Sequence, residues 1–454
     1  MTVRREVMLR AALASIVLAS ACRSKGTRLD EAEGAQASPG TPIARREPAK
    51  RFAPPLTVVR GESAVGVVGR ERGVKDGEGG AGHRLLFAEL RDDGSAMVAP
   101  VSVVATGEDL PALVVAHGSY GLIVPDGDSA RARKLVPLPS RPDGGGAGEP
   151  ARLGEASCTT AEGVFSLMQE GLGFRGLFQA MEPGGAPAFA PTVPGDGEAS
   201  VVCGQHQAFV VLNRAGEVSV VAWSKGGFDA KPTRLPKVPS AAAEDAIALG
   251  AMEDKLVLAT SDPLAIYTLV WARGSDATSW RTANHRTKGE MSIEALEPAA
   301  GKIGLVLAET TAATTCRHGE SNDTSISVAI VDAENGKLVR PPERLETWRC
   351  GAEPGPILAG WASAKFVLAW LRASDAACSR AGVRYAGLGF AEVDLLRGGP
   401  SKTGRAGAAA ESIAMAGCGS ARCFAVAVTR GSTDRCGAAD GSEAGKLEVV
   451  SFPP

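Results

Sequence analysis

The sequence predicts an all-β protein assembled from a repeated unit of strands. Three observations carry this reading. From residue 56 onward the chain breaks into apolar runs of four to six residues, each bounded by Gly, Pro, Asp or Asn. Runs of that length between turn-forming residues read as strands. None shows the 3.6-residue period over the ten or more residues that a helix needs, so helix content should be very low. The runs also recur at nearly constant spacing, as in a tandem array.

Seven runs mark the array: Tyr120–Val124, Val164–Met168, Phe209–Leu212, Lys255–Ala259, Lys302–Leu307, Phe366–Trp370 and Cys423–Val428. Their first residues lie 44, 45, 46 and 47 residues apart, then 64 and 57, as if longer loops were inserted. A weaker strand and a turn precede each run. Gly154–Ser157 and Gly197–Ser200 carry the same four residues, and Cys158 and Cys203 follow them 45 residues apart. A second strand often follows across a turn. Ala215-Gly216 leads to Val218–Ala222, and Asn335-Gly336, a strong hairpin signal, links Ile326–Val331 to Leu338-Val339.

A period of this length with three or four strands per unit resembles the blades of β-propellers, as in WD-repeat and kelch proteins. The signature residues of both families are absent, so the resemblance is to the architecture. It implies a seven-bladed propeller over residues 56–454, with units starting near residues 109, 154, 197, 243, 291, 355 and 411. Strands within 56–104, such as Arg84–Leu90, would close the ring with the last segment, Lys446–Phe452. Closure removes the sheet edges that long β proteins must otherwise protect.

Ahead of this body stand two other segments. Arg4, Arg5 and Arg10 precede an uncharged run, Ala11–Ala21, which is too short to span a bilayer as a helix. The pattern is that of a signal peptide over residues 1–21. Arg4-Arg5 is followed by Glu6-Val7-Met8, a poor fit to a twin-arginine signal. Leu18-Ala19-Ser20-Ala21-Cys22 resembles the lipobox of bacterial lipoproteins, with Ala19 where that family usually has Leu. The resemblance implies that Cys22 is acylated, becomes the new N-terminus and holds the protein to a lipid bilayer. Arg23, rather than Asp, after the cysteine implies the outer membrane over the inner one. The alternative is ordinary cleavage, leaving a secreted or periplasmic protein. Residues 22–55 are rich in Ala, Gly, Pro and charge and have almost no large apolar residue before Phe52. Such a segment cannot offset its chain entropy by burial and reads as a disordered tether.

Removing residues 1–21 leaves 433 residues with a net charge near −4. No Lys or Arg cluster stands out after residue 51, which argues against nucleic acid as a partner. Besides Cys22 there are eight cysteines: Cys158, Cys203, Cys316, Cys350, Cys378, Cys418, Cys423 and Cys436. An even number in an exported chain reads as disulfides. Cys158 with Cys203 across neighbouring units, and Cys316 with Cys350 within one, suit the repeat, but spacing does not set connectivity. Cys316 and Cys378 fall in the insertions 308–325 and 373–382, and Cys436 sits at the same phase of the last unit. All three would lie in loops on one rim. Cys418-x4-Cys423 with Cys436 lacks the second CxxC or His pair of a zinc site.

No catalytic residue, cofactor or metal ligand emerges. His83, His117, His206, His285 and His318 are scattered singly. His117–Gly121 has His where a GxSxG elbow needs Gly, and Gly398–Thr403 lacks the Gly before the Lys of a phosphate loop. Asp126-Gly127-Asp128 could offer oxygens to calcium but reads as a turn, and Ser275–Trp280 is an incomplete Asp-box that reads the same way. Trp271, Trp280, Trp348, Trp361 and Trp370 read as packing between units, with a sugar- or partner-binding rim as the alternative. The functional expectation is a non-enzymatic propeller that binds a protein partner at the cell envelope. The alternative is an exported propeller enzyme or carbohydrate binder that uses a rim or central pocket.

Overall fold

The computed structural model describes residues 52–452 apart from connecting segments, the longer ones being 72–81, 107–111, 126–132, 139–150, 181–187, 240–246, 313–321, 374–384 and 430–445. The signal segment, Cys22 and most of the expected tether lie outside the described residues. Among the described residues every regular element is a strand. The first begins at Phe52, four residues ahead of the boundary expected from composition.

Among the described residues the strands form eight sheets in chain order: Phe52–Thr106, Ala112–Leu153, Ala156–Pro194, Glu198–Arg234, Ala248–Asn284, Glu290–Trp348, Ile357–Ala406 and Ala410–Phe452. Each is an antiparallel meander in which successive strands pair, except that Thr233-Arg234 in the fourth sheet pairs with Glu217–Ser224; all but the last sheet, with three, have four or more strands among the described residues. The seven marker runs are all the second strands of their sheets. The fold is a β-propeller, as the repeat implied.

The number of sheets corrects the expectation of seven units. Residues 52–106 make a complete four-stranded sheet of their own, and Lys446–Phe452 pairs with Cys423–Thr429 within the last sheet. The second strand of the first sheet, Val65–Glu71, begins 55 residues before Tyr120, outside the regular spacing that identified the others.

The chain forms two compact units, which divide near Leu113 and near Ala352. Within Val114–Ala352 the first strands of the third to sixth sheets lie side by side. Within the other unit, Ala410–Cys418 lies beside both Ile357–Ala362 and Phe52–Arg60. In these sheets the first strand lies beside the first strand of the next.

Both faces of the second strands Gln207–Arg214 and Lys255–Asp262 are covered, which explains why these runs are continuously apolar rather than alternating. In Gln207–Arg214, Ala208, Val210 and Leu212 pack with Cys158, Phe165 and Leu167 of the third sheet. Phe209 and Val211 face the other way, onto Leu256, Leu258 and Trp271 of the fifth. In Lys255–Asp262, Leu256 and Leu258 face the fourth sheet while Val257 and Ala259 join Leu296, Ile303 and Leu305 of the sixth. Each interface is a dry sandwich of two sheet faces, and truncating a buried Leu in it costs about 2–5 kcal/mol.

Turn chemistry follows the sequence where it could be read. Gly336 takes φ +71°, and the Asp332 carboxylate accepts hydrogen bonds from the N–H groups of Glu334 and Asn335, both at 3.0 Å. This is the Asn-Gly reversal expected between the third and fourth strands. The expected insertion at 308–325 is shorter than supposed, because Ala308–Ala312 and Asn322–Ile326 extend the hairpin in register. Their Thr, Ser and Asp residues read as loop, yet the ladder needs only backbone groups and continues beyond the core.

Candidate functional site

The feature that distinguishes one end of these sheets is a line of linked turns. In a meander, the turn from first to second strand lies at the same end as the turn from third to fourth. The first turns of the third, fourth and fifth sheets, at Thr160–Glu162, Gly204–His206 and Glu253-Asp254, are hydrogen-bonded in succession. Ala161 N–H donates to the Gln205 carbonyl (2.9 Å), and Gln205 N–H donates to that of Glu253 (3.3 Å). Gly204 is required here, since a Cβ would stand 2.0 Å from the Glu253 carbonyl oxygen. Thr160 is buried, and its Oγ1 accepts from the N–H of Glu162 (3.2 Å) and of Gly163 (3.3 Å). In the sixth sheet the equivalent turn is Ala300-Gly301, and Gly301 N–H points at Met252 Sδ (3.3 Å).

Glu253 and Ala300 carry positive φ, +55° and +47°, at the first position of their turns, and Ser363 repeats this at +55° in the seventh sheet. A non-glycine residue there costs about 1–2 kcal/mol. Such strain persists where surrounding contacts dictate the conformation, and it concentrates at functional surfaces. Onto this rim the turns carry Glu162, His206, Glu253 and Asp254. His206 Nδ1 lies 3.5 Å from Glu162 Oε1, with His206 exposed to solvent.

At the same end, further out, charged groups clasp sheets together. Arg273 Nε donates to Asp229 Oδ1 and its Nη1 donates to Ser224 Oγ, both at 2.7 Å, joining the fifth sheet to the fourth. Arg281 donates to the Ala333 carbonyl, joining the fifth to the sixth. Lys302 pairs with Asp332 within the sixth. Lys302, with the N–H groups of Asn335 and Glu334, holds the Asp332 carboxyl below its ordinary range despite partial burial.

One titratable group stands out on an inner strand. Glu297, in Glu290–Ala299, is paired with Gly304, whose lack of a side chain leaves room beside it. The residue as a whole is half-buried, but its carboxyl is enclosed, and burial pushes its pKa up to about 8. Sequence reading did not single it out. The available signal was an acid between Leu296 and Pro298 in a strand whose neighbours are core.

The structure joins one of the expected cysteine pairs. Cys158 and Cys203 form a disulfide with Cα atoms 5.5 Å apart, linking the first strands of the third and fourth sheets. Cys423 is also disulfide-bonded. Cys418 sits at the end of Ala410–Cys418, while Cys316, Cys350, Cys378 and Cys436 lie outside the described residues. So do His117, His318, Asp126, Asp128 and Asp276. His206 and His285 are described and lie on turns at opposite ends of the sheets. Lys402-Thr403 begins the strand Lys402–Ala406, and among the described residues no helix follows it. Among the described residues no three of His, Cys, Asp or Glu gather as a metal site would require.

The tryptophans form core, as the packing reading expected. Trp271, Trp348, Trp361 and Trp370 are buried, which overturns a rim built on them. Trp280 is half-buried, with Nε1 donating to the Pro236 carbonyl at 3.0 Å.

No family model matches the chain, and no curated protein matches it. Among solved structures it is similar to the WD40 domain of SCAP from fission yeast, at 9% identity over 90% of this chain and 97% of that one, TM-score 0.42. It is also similar to a prolyl endopeptidase, at 10% identity over 86% of this chain and TM-score 0.46, and to oligopeptidase B from Leishmania major, at 7% over 84% and TM-score 0.44. The chain spans 56% and 54% of the length of those two enzymes.

Proposed function

We propose that this chain is an exported β-propeller, held to a bilayer by a lipid on Cys22, that binds a protein partner at the cell envelope through its first-turn rim. The observation that carries this reading is the Cys158–Cys203 disulfide. Such bonds form and persist in oxidising compartments outside the cytosol, which agrees with a cleaved signal and a lipidated cysteine. The rim supports the binding role. Its turns are fixed by consecutive hydrogen bonds, so a partner meets a surface already ordered, and little entropy is lost on docking. Burial of Trp271, Trp348, Trp361 and Trp370 takes those four out of the stacking platform that a carbohydrate-binding rim would use.

Two arms test the proposal. Fatty-acid labelling and membrane fractionation should follow the wild-type chain, and both should be lost in Cys22→Ala; labelling that survives the substitution refutes the anchor. In-cell crosslinking should trap a discrete envelope protein with the wild type and lose it in Glu253→Lys/Asp254→Lys. A crosslink that the rim variant leaves unchanged refutes the rim as the docking face.

A further inference from the structure

We propose that the bond at Cys423 is to Cys418, and that it locks the register of the first hairpin of the last sheet. Cys423 is fully buried and disulfide-bonded. Cys158 and Cys203 satisfy each other, which leaves Cys418 and the cysteines outside the described residues as partners. In the ladder between Ala410–Cys418 and Cys423–Thr429, Cys418 is the residue directly opposite Cys423. Opposed residues in an antiparallel pair have Cα atoms about 4.5–5.5 Å apart. That interval lies within the roughly 4.4–6.8 Å a disulfide spans. A buried thiol at the end of a ladder is reached most directly by the residue facing it.

The position gives the bond a task. This hairpin has register shifts between Ala410 and Ser412 and between Met415 and Gly417, and its sheet has only three strands among the described residues. A strand pair interrupted twice is weakly held against slippage, and a one-residue slip would turn its apolar face outward. A covalent bond at the last pair before the turn fixes the register from the end nearest the loop. In forming it, the two thiols lose two protons and two electrons. The acceptor is the disulfide of a thiol oxidoreductase in the oxidising compartment. One cysteine thiolate attacks it to give a mixed disulfide, then the second displaces the enzyme, which leaves as a dithiol. The pairing leaves Cys316, Cys350, Cys378 and Cys436, an even set.

Trypsin separates the two sulfurs, because Arg422 stands between them. The full chain is trapped with an alkylating reagent at low pH, digested without reduction and examined by mass spectrometry. The expected result is Ala406–Arg422 joined to Cys423–Arg430, or the uncut Ala406–Arg430 lighter by two hydrogens. Reduction should abolish either. Cys423–Arg430 joined to a peptide carrying another cysteine, or alkylated at Cys423 without reduction, overturns the pairing. In Cys418→Ser, Cys423 should become alkylatable in the denatured, unreduced chain; a Cys423 that stays blocked overturns it as well.

Discussion

Replacing both Cys158 and Cys203 with Ala removes a bond that closes a loop of 45 residues, one full repeat. The chain-entropy relation for a loop of that length gives about 4 kcal/mol at 25 °C. Against a total of about 5–15 kcal/mol for a domain, the loss is large. Alanine avoids placing a hydroxyl among Phe165, Leu167, Val201 and Val210, so the change tests the crosslink rather than a buried polar group. Trp223 provides a local reporter. It belongs to the same core as both cysteines and stacks on Phe178, ring centroids 4.7 Å apart. Urea unfolding of the oxidised chain, followed by tryptophan fluorescence, should show this transition moved down by about 1 M for an m-value near 3 kcal/mol/M. Reductant should lower the wild-type transition more than that of the double-alanine chain, which keeps only the bond at Cys423 to lose. A double-alanine midpoint equal to the wild type would refute the reasoning, because the bond would then add nothing that packing of the two sheets does not supply.

Three further outcomes are expected. Glu297 is held protonated by burial, so its contribution is fully present below the unfolded carboxyl pKa, near 4.5, and is lost as pH rises towards 8. By pH 7 the loss is at most about 3 kcal/mol, and Glu297→Gln should flatten the fall in urea stability between pH 5 and 8; an unchanged slope would sink the assignment. Asp332 has the opposite sign: its stabilisation is present above the usual carboxyl range and is lost as pH falls through its lowered pKa. Asp332→Asn should therefore cost about 1–2 kcal/mol at pH 7, and less as pH falls below the usual carboxyl range, as measured by urea midpoints. Glu253→Asn should relieve the positive φ at the rim and raise stability by about 1 kcal/mol in the same assay, with Ala300→Gly as a parallel variant.

The repeat was legible because burial on both faces makes a second strand a short, unbroken apolar run that is hard to mistake. Phe209–Leu212 and Lys255–Ala259 announce themselves for this reason. First and fourth strands were harder to read. Leu338–Trp348 is mostly half-buried or exposed, and its Pro341-Pro342 argues against a strand until the neighbouring ladder supplies the partner groups. The first sheet was missed as a unit for a related reason: Gly66 and Gly69 dilute its second strand, and the connection at 72–81 breaks the rhythm.

From residues alone came the strand class, the repeat, the Asn-Gly turn, the apolar role of the tryptophans, and Cys158 and Cys203 as a pair that suits the repeat, with the connectivity left open. Each depends on local pattern or on a period, and the linear chain carries both. The tertiary structure decided the eight sheets, the line from Ala161 through Gln205 to Glu253, and the enclosure of Glu297. Those depend on which segments lie side by side once the sheets pack, and a turn or a single acid has no period to announce its neighbours.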